Sequence, residues 1–159
     1  MAEQVEIRRA RADEREALLG LWLRLIEHHR RLDPAYPVPG ALRLGLQSEI
    51  DRGLSRAGCA IWLALAGSAP VGFAFAEAER GAERGDASAV GWIHELWIEP
   101  AWRRRGLATR LVEQAQAFLD ARGGRIAVRV EAANPDALAF WRSRGFRERA
   151  HVLELSTLS

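Results

Sequence analysis

The sequence predicts an α/β domain built on a mixed sheet, and three observations carry that prediction. Segments with the alternating polarity of strands and segments with helical spacing follow one another in the order β-α-α-β-β-β-α-β-α-β. Hydrophobic residues make up 48% of the chain and charged residues 28%, which is typical of a globular protein. The 159 residues contain no repeat or low-complexity segment. We therefore expect one domain with a single core over residues 1–159.

The first half of the chain predicts one strand, two helices and a hairpin. These elements are, in order, a strand at 5–9, a helix capped by Asp13, a proline-rich loop at 33–40, a helix at 41–56, and two strands at 59–66 and 71–79 joined by a turn. In the second strand of the pair, small residues such as Ala74 alternate with bulky ones such as Phe75. One face is therefore almost bare, and a helix or a ligand can pack close to it.

The second half of the chain also predicts alternating strands and helices. It contains an exposed loop at 80–88, a strand at 91–99 closed by Pro100, a basic turn, a helix from Leu107 that ends at Gly123-Gly124, a strand at 125–131, a helix that begins at Asn134-Pro135, and a last strand or hairpin at 147–155. Adjacent His28 and His29 at the end of the first helix point in different directions. We expect them to be a solvated helix end and not a metal site, and the alternative is that one of them reaches an acceptor pocket.

The basic turn Arg103-Arg104-Arg105-Gly106-Leu107-Ala108 predicts an anion site. The first N–H groups of a helix have no partner within the helix, and the helix dipole adds partial positive charge there. Gly106 lacks a β-carbon, so a diphosphate can approach the backbone closely. Two other phosphate loops are excluded, because the sequence has no lysine for a P-loop and no G-x-G-x-x-G after a strand.

This turn resembles the pyrophosphate motif [R/Q]-x-x-G-x-[G/A] of the GCN5-related N-acetyltransferase (GNAT) superfamily. A second segment, Asn134-x-x-Ala137-x-x-Phe140-Trp141-x-x-x-Gly145-Phe146, is similar to a motif of the same family. The order of elements resembles this fold over essentially the whole chain. The resemblance implies a mixed, mostly antiparallel central sheet of six or seven strands, flanked by about four helices.

The resemblance also implies acetyl transfer from acetyl-CoA to a primary amine of a small molecule or peptide by direct attack, without a metal. The backbone of one strand segment would pair with the pantetheine arm, the neighbouring strand at 125–131 would splay away, and the basic turn would hold the diphosphate. The cofactor-binding residues implied in this way are Leu96, Trp97, Ile98, Arg103, Arg104, Arg105, Gly106, Leu107, Ala108, Thr109 and Asn134.

The catalytic residues are less constrained. Glu95 is the candidate base or amine anchor, because an amine must lose a proton before it attacks, and a structural hydrogen bond is the alternative. Strand alternation places His94 on the opposite side from Glu95, where packing or a polar substrate contact is expected and a catalytic role is the alternative. Trp141 stands where many relatives carry a tyrosine that protonates the leaving thiolate, and an indole cannot supply that proton. Tyr36 in the proline-rich loop is a substrate-contact candidate.

Other function classes have less support. An acyl-CoA-binding module with little transfer activity, such as a sensor or interaction protein, is the alternative, and Trp141 is its best argument. Acids interleave with the 23 arginines to a net charge of +2, which argues against a nucleic-acid partner. One cysteine, no apolar signal segment and no membrane-spanning run predict a cytoplasmic protein without a membrane partner. The apolar C-terminal strand permits a homodimer.

Overall fold

A computed structural model describes residues 3–81, 86 and 88–155 of the chain. Residues 82–85 and 87 of the predicted loop lie outside this range. The helices and strands are β1 (Val5–Arg9), α1 (Arg15–Leu32), α2 (Leu42–Ser55), β2 (Cys59–Ala66), β3 (Ala69–Ala78), β4 (Val90–Ile98), α3 (Leu107–Asp120), β5 (Arg125–Val128) and α4 (Pro135–Ser143). The chain forms two compact units, Met1–Arg129 and Val130–Ser159.

The strands form one mixed sheet in the order β1-β2-β3-β4-β5. The first four strands pair antiparallel with their neighbours, and β5 runs parallel to β4. This confirms the α/β class and the mixed sheet. The prediction of six or seven strands is wrong for the described part of the chain, which contains five.

The missing strand is the one expected at 147–155, where the structure has no helix or strand. Val152, Leu153 and Leu155 are exposed there by 71%, 92% and 88%. An apolar run becomes a strand only when a neighbour pairs with its backbone and covers its side chains. β5 is likewise shorter than the predicted 125–131, because its pairing with β4 ends at Val128.

The larger cluster of buried side chains in the first unit lies on one face of the sheet, beneath α1 and α2. The rings of Trp22 and Phe73 have their centroids 5.5 Å apart, and those of Trp22 and Phe75 lie 5.9 Å apart. α1 begins at Arg15 after a short 3-10 turn, so Asp13 is not its cap. The Glu14 carboxylate instead accepts the Arg11 N–H at 2.7 Å.

Helix α3 covers the opposite face, which is the bare face predicted from the small residues of β3. Phe118 of α3 packs edge-on against Trp62 of β2, with ring centroids 5.6 Å apart. Gly91 of β4 lies directly under Leu119, because a β-carbon at Gly91 would be 2.9 Å from the Leu119 Cδ2. The close contact with a helix explains why this face carries so few large side chains.

The second unit contains α4 and the segment after it. Asn134 caps α4, because its Oδ1 accepts the Ala137 N–H at 3.1 Å. An ion pair joins Arg142 and Glu148. Within the described ranges, no helix is both long and apolar enough to cross a membrane.

Candidate functional site

A β-bulge interrupts β4 at His94. Phe75 of β3 pairs with Glu95, but the next residue, Ala76, pairs with Ile93, so His94 is an extra residue with no partner in the register. The alternation expected from the sequence therefore fails at this point. The His94 ring contacts Phe75 at 5.4 Å, and Glu95 pairs with the same phenylalanine. Both side chains consequently belong to the face that α1 and α2 cover.

Among the described residues, the edge of β4 that faces β5 is paired only over its first part. The parallel register begins at Val90 and Arg125 and ends at Ile93 and Val128. β4 continues to Ile98, five residues further, while β3 pairs its other edge. The predicted pantetheine segment, Leu96, Trp97 and Ile98, lies in this open part. An open strand edge offers backbone N–H and C=O groups to an extended ligand.

The basic turn between β4 and α3 presents free backbone donors. The N–H groups of Arg104, Arg105 and Gly106 donate no hydrogen bond to any described residue. Arg104 and Gly106 both adopt left-handed backbone, with φ of 60° and 74°. An ideal β-carbon on Gly106 would meet no atom of a described residue within 4 Å, so none of them fills the space at this position. Consecutive free N–H groups at a helix start fit a diphosphate.

The helix that follows the turn anchors it in the core. Leu107, the first residue of α3, is buried, whereas Ala108 and Thr109 in the same first turn are partly exposed. The Arg110 N–H reaches the Gly106 carbonyl at 3.1 Å, which starts the helical hydrogen bonds. Earlier N–H groups of the helix have no helical acceptor and face the turn. Of the predicted residues of the turn, Leu107 is therefore a packing residue, whereas the others are exposed or partly exposed.

Two of the three arginines of the turn lie over tryptophan rings. The Arg103 guanidinium lies over the Trp97 ring at 4.8 Å, and its Nε donates to the Ile98 carbonyl at 3.0 Å. Arg105 lies over Trp102 at 4.6 Å. Arg103 therefore holds the turn against the end of β4. The sequence motif alone predicts only that Arg103 adds positive charge to the turn.

The end of α1 and the proline-rich loop form an aromatic cluster. Tyr36 stacks on His29 with ring centroids 4.9 Å apart, and His28 packs on Trp97 at 5.3 Å. The expectation of a solvated histidine pair is therefore wrong, and burial lowers the pKa of His29. The His29 Nδ1 and the Trp97 Nε1 are buried without a hydrogen-bond partner among the described residues. Through the two histidines, Tyr36 is linked to the open part of β4.

Glu77 of β3 is a residue that the sequence reasoning missed. Its carboxylate accepts from Arg52 of α2 at 2.5 Å and lies 2.9 Å from the His94 Nε2. Burial acts to raise the pKa of Glu77, but the hydrogen bonds from Arg52 and His94 outweigh it, so the pKa is lowered. A carboxylate within an otherwise apolar strand is the sequence signal that could have revealed this site.

Two predicted residues belong to the second unit. The Asn134 side chain caps α4, so its carbonyl oxygen already has a donor. Trp141 is buried and packs edge-on against Phe140 and Phe146, with centroids 5.2 and 5.0 Å away. Their roles beside the thioester stay predictions.

The sequence profile of the acetyltransferase (GNAT) family matches residues 22–146 of the chain. The chain therefore belongs to the acetyltransferase (GNAT) family.

Particular relatives match over shorter stretches or at low identity. An uncharacterized N-acetyltransferase of Methanocaldococcus jannaschii is 36% identical over 64 residues, or 40% of this chain and 28% of that protein. The N-alpha-acetyltransferase RimI of Mycobacterium tuberculosis is 38% identical over 55 residues, or 35% of this chain and 34% of that protein. The chain thus matches about a third of each curated relative. The solved structure of the aminoglycoside N-acetyltransferase AAC(6')-Iy with CoA superposes with a TM-score of 0.75 at 21% identity, covering 99% of this chain and 97% of that chain.

Proposed function

We propose that this protein transfers an acetyl group from acetyl-CoA to a primary amine of a small molecule. The observation that carries the proposal is the free donor cradle at Arg104, Arg105 and Gly106, directly after the open edge of β4. The cradle suits a diphosphate and the open edge suits an extended amide chain, and CoA carries both. Family membership supplies the reaction class.

The chain's own residues would divide the binding of the cofactor between them. The N–H groups of the turn bind the diphosphate, while Arg103 keeps the turn against β4. The backbone of Leu96 to Ile98 pairs with the pantetheine amides. When bound, acetyl-CoA supplies a thioester carbonyl that a neutral amine can attack.

The acceptor amine enters near the bulge of β4. Glu95 lies on the face of the sheet that carries α1 and α2, and its carboxylate binds the incoming ammonium. Tyr36 and its histidine neighbours form one wall of the approach. Aminoglycoside N-acetyltransferases among the structural neighbours support a small-molecule amine, and RimI, an N-alpha-acetyltransferase, keeps a peptide amine as the second acceptor class.

The test of cofactor binding is calorimetric titration of acetyl-CoA into the wild type and two matched variants. Gly106→Ala places a methyl group in the cradle, and we expect acetyl-CoA to bind at least about 10-fold more weakly. Gly67→Ala is the control, because Gly67 also has a positive φ, 60°, and open space around it, but lies in the β2–β3 turn. Equal effects of the two variants, or no binding by the wild type, would refute the cofactor site.

Turnover then separates an enzyme from a binding module. Release of free CoA thiol is measured with a panel of small-molecule and peptide amines. Amine-dependent thiol release establishes acetyl transfer and identifies the acceptor class. If acetyl-CoA binds tightly but an amine releases no more CoA thiol than hydrolysis does without amine, the acyl-CoA-binding module is favoured. The argument for that module is the buried Trp141 at the tyrosine position.

Three further properties remain proposals from the sequence. We propose that residues 1–159 act as one domain, that the protein works in the cytoplasm, and that a homodimer forms through the apolar segment at 152–155. The exposure of Val152, Leu153 and Leu155 supports the third proposal. Sedimentation equilibrium with and without Leu153→Asp would test it.

A further inference from the structure

A row of charged side chains runs from α2 across β3 to the bulge of β4. Glu49 accepts from Arg52 at 2.6 Å, and Arg52 donates to the Oε1 of Glu77 at 2.5 Å. Arg56 lies 3.7 Å from the same oxygen. The other carboxylate oxygen, Oε2, is 2.9 Å from the Nε2 of His94. Glu77 is thus fixed by arginines on one side and bonded to an imidazole on the other.

This arrangement determines which ring nitrogen of His94 carries the hydrogen. An ionised carboxylate only accepts hydrogen bonds, so the His94 Nε2 must donate to Glu77. In the neutral ring the lone pair is then on Nδ1, which makes no hydrogen bond within the described part of the chain. Phe75 and Trp92 lie 5.4 and 6.3 Å from the ring and restrict its rotation.

The ring sits where the proposed reaction needs a proton acceptor. His94 is the first residue of β4 beyond the last pair with β5, so it marks the start of the open edge. Its side chain is 35% exposed, which leaves it accessible to an acceptor. Glu95, the proposed ammonium anchor, is the next residue.

We propose that His94 is the general base of the acetyl transfer and that Glu77 is the residue that positions it. This inference rests on the proposed function. The amine nitrogen forms a bond to the acetyl carbon, the carbon–sulfur bond breaks, and the thiolate of CoA leaves. The proton lost by the amine passes to the Nδ1 of His94 and from there to solvent. The Glu77 carboxylate stabilises the imidazolium that forms in between.

The chemistry of the side chains favours imidazole over the neighbouring carboxylate of Glu95. A base is most effective when its ordinary pKa lies near the working pH, and imidazole, at about 6.5, lies closer than a carboxylate, at about 4.3. The charged groups around His94 are Glu77 from β3, Arg52 from α2, Arg56 directly after α2, and Glu95 beside it. Of these, Glu77 alone has a described hydrogen bond to the ring.

The kinetic test compares kcat/KM across pH for three variants. His94→Gln removes the base, and we expect a loss of about 100-fold or more with unchanged acetyl-CoA binding. Glu77→Gln keeps an acceptor for Nε2 but removes the charge, so we expect a loss of about 10-fold in kcat/KM and a pH profile that differs from that of the wild type. Glu14→Gln, which breaks the partly buried ion pair with Arg8, is the control and should leave rate and profile unchanged.

A second measurement does not depend on activity. The ¹⁵N chemical shifts of the His94 ring in the resting protein, assigned with His94→Gln, should show hydrogen on Nε2 and none on Nδ1 at high pH. The opposite tautomer would overturn the inference. If His94→Gln acetylates the amine with the rate and pH profile of the wild type, the inference is overturned and the proposed function stands. If the wild type acetylates no amine, the proposed function is overturned as well.

Discussion

Gly53 allows α2 to lie unusually close to the sheet, and replacing it with alanine should reveal how tight that contact is. A β-carbon at Gly53 would lie 2.5 Å from the Cδ1 of Ile61, 2.8 Å from its Cγ1 and 3.2 Å from the Cε2 of Phe75. The side chains of Ile61 and Phe75 are each 1% exposed, so neither side chain has free space to move into. The neighbouring Arg52 is the residue that reaches Glu77 from this helix.

Two opposing effects decide whether Gly53→Ala raises or lowers the free energy of unfolding. Alanine is a better helix former than glycine by about 1 kcal/mol. Overpacking a well-filled core costs about 1–3 kcal/mol, and distances below 3 Å to two atoms of a buried side chain place Gly53→Ala near the upper end. We therefore expect a net loss of about 2 kcal/mol in the free energy of unfolding. For a chain of this size that lowers the Tm by about 4–8 °C.

The assay is urea unfolding followed by tryptophan fluorescence, with thermal unfolding as a second measure. Gly45→Ala is the matched control, because Gly45 lies in the same helix with nothing within 4 Å of its would-be β-carbon. That variant should gain up to about 1 kcal/mol. Ile61→Val removes the Cδ1 atom, so the double variant with Gly53→Ala should lose about 1 kcal/mol less than the two single losses together. If Gly53→Ala stabilises the protein as much as Gly45→Ala does, the close packing of α2 is refuted.

Three further predictions concern other contacts of the first unit. The hydrogen bond from Arg8 lowers the pKa of Glu14, so the pair stabilises the fold above the ordinary carboxyl pKa of 4.5 and this stabilisation is lost as the pH falls through the lowered value. Glu14→Gln should thus cost about 1–2 kcal/mol at pH 7 and almost nothing at a pH below that lowered value, as measured by urea titrations, and a constant difference would contradict this. Arg103→Lys keeps the charge but loses the stack on Trp97, so it should cost about 1 kcal/mol in the same assay, and an unchanged midpoint would mean that the stack contributes nothing. Burial raises the pKa of the Cys59 thiol, so its reaction with a disulfide reagent should be on the order of 100-fold slower than that of a free thiol, and a fast reaction in the folded protein would contradict the burial.

Local patterns located most of the elements. The polarity of 59–66 predicts β2 to the residue, and the spacing from Leu107 predicts the start of α3. Pro135 marks the first turn of α4 correctly, with Asn134 as its cap. Each of these depends on the backbone preferences and the period of a short window, which is information that the sequence contains directly.

The number of strands and the geometry of the bulge depended on partners far away in the chain. The apolar run at 152–155 has the composition of a strand, but a strand exists only where another backbone pairs with it. Strand alternation in β4 predicts that His94 and Glu95 point to opposite faces of the sheet. The register with β3 leaves His94 as one unpaired residue, so the two side chains belong to the same face. A one-residue change in register moves a side chain to the other face, and no window on β4 alone reports it.

The sequence by itself determined the α/β class, the basic turn that we propose as an anion site and the family motifs, because each is encoded by neighbours in the chain and by the freedom of Gly106. Only the tertiary structure joined Glu77 to His94 and Arg52, which are 17 and 25 positions away in the sequence. The direction of a charged side chain in a sheet is set by which strand and helix it meets. For this reason, the candidate base emerged from packing and register, whereas the turn proposed to bind the cofactor was already apparent in six consecutive residues.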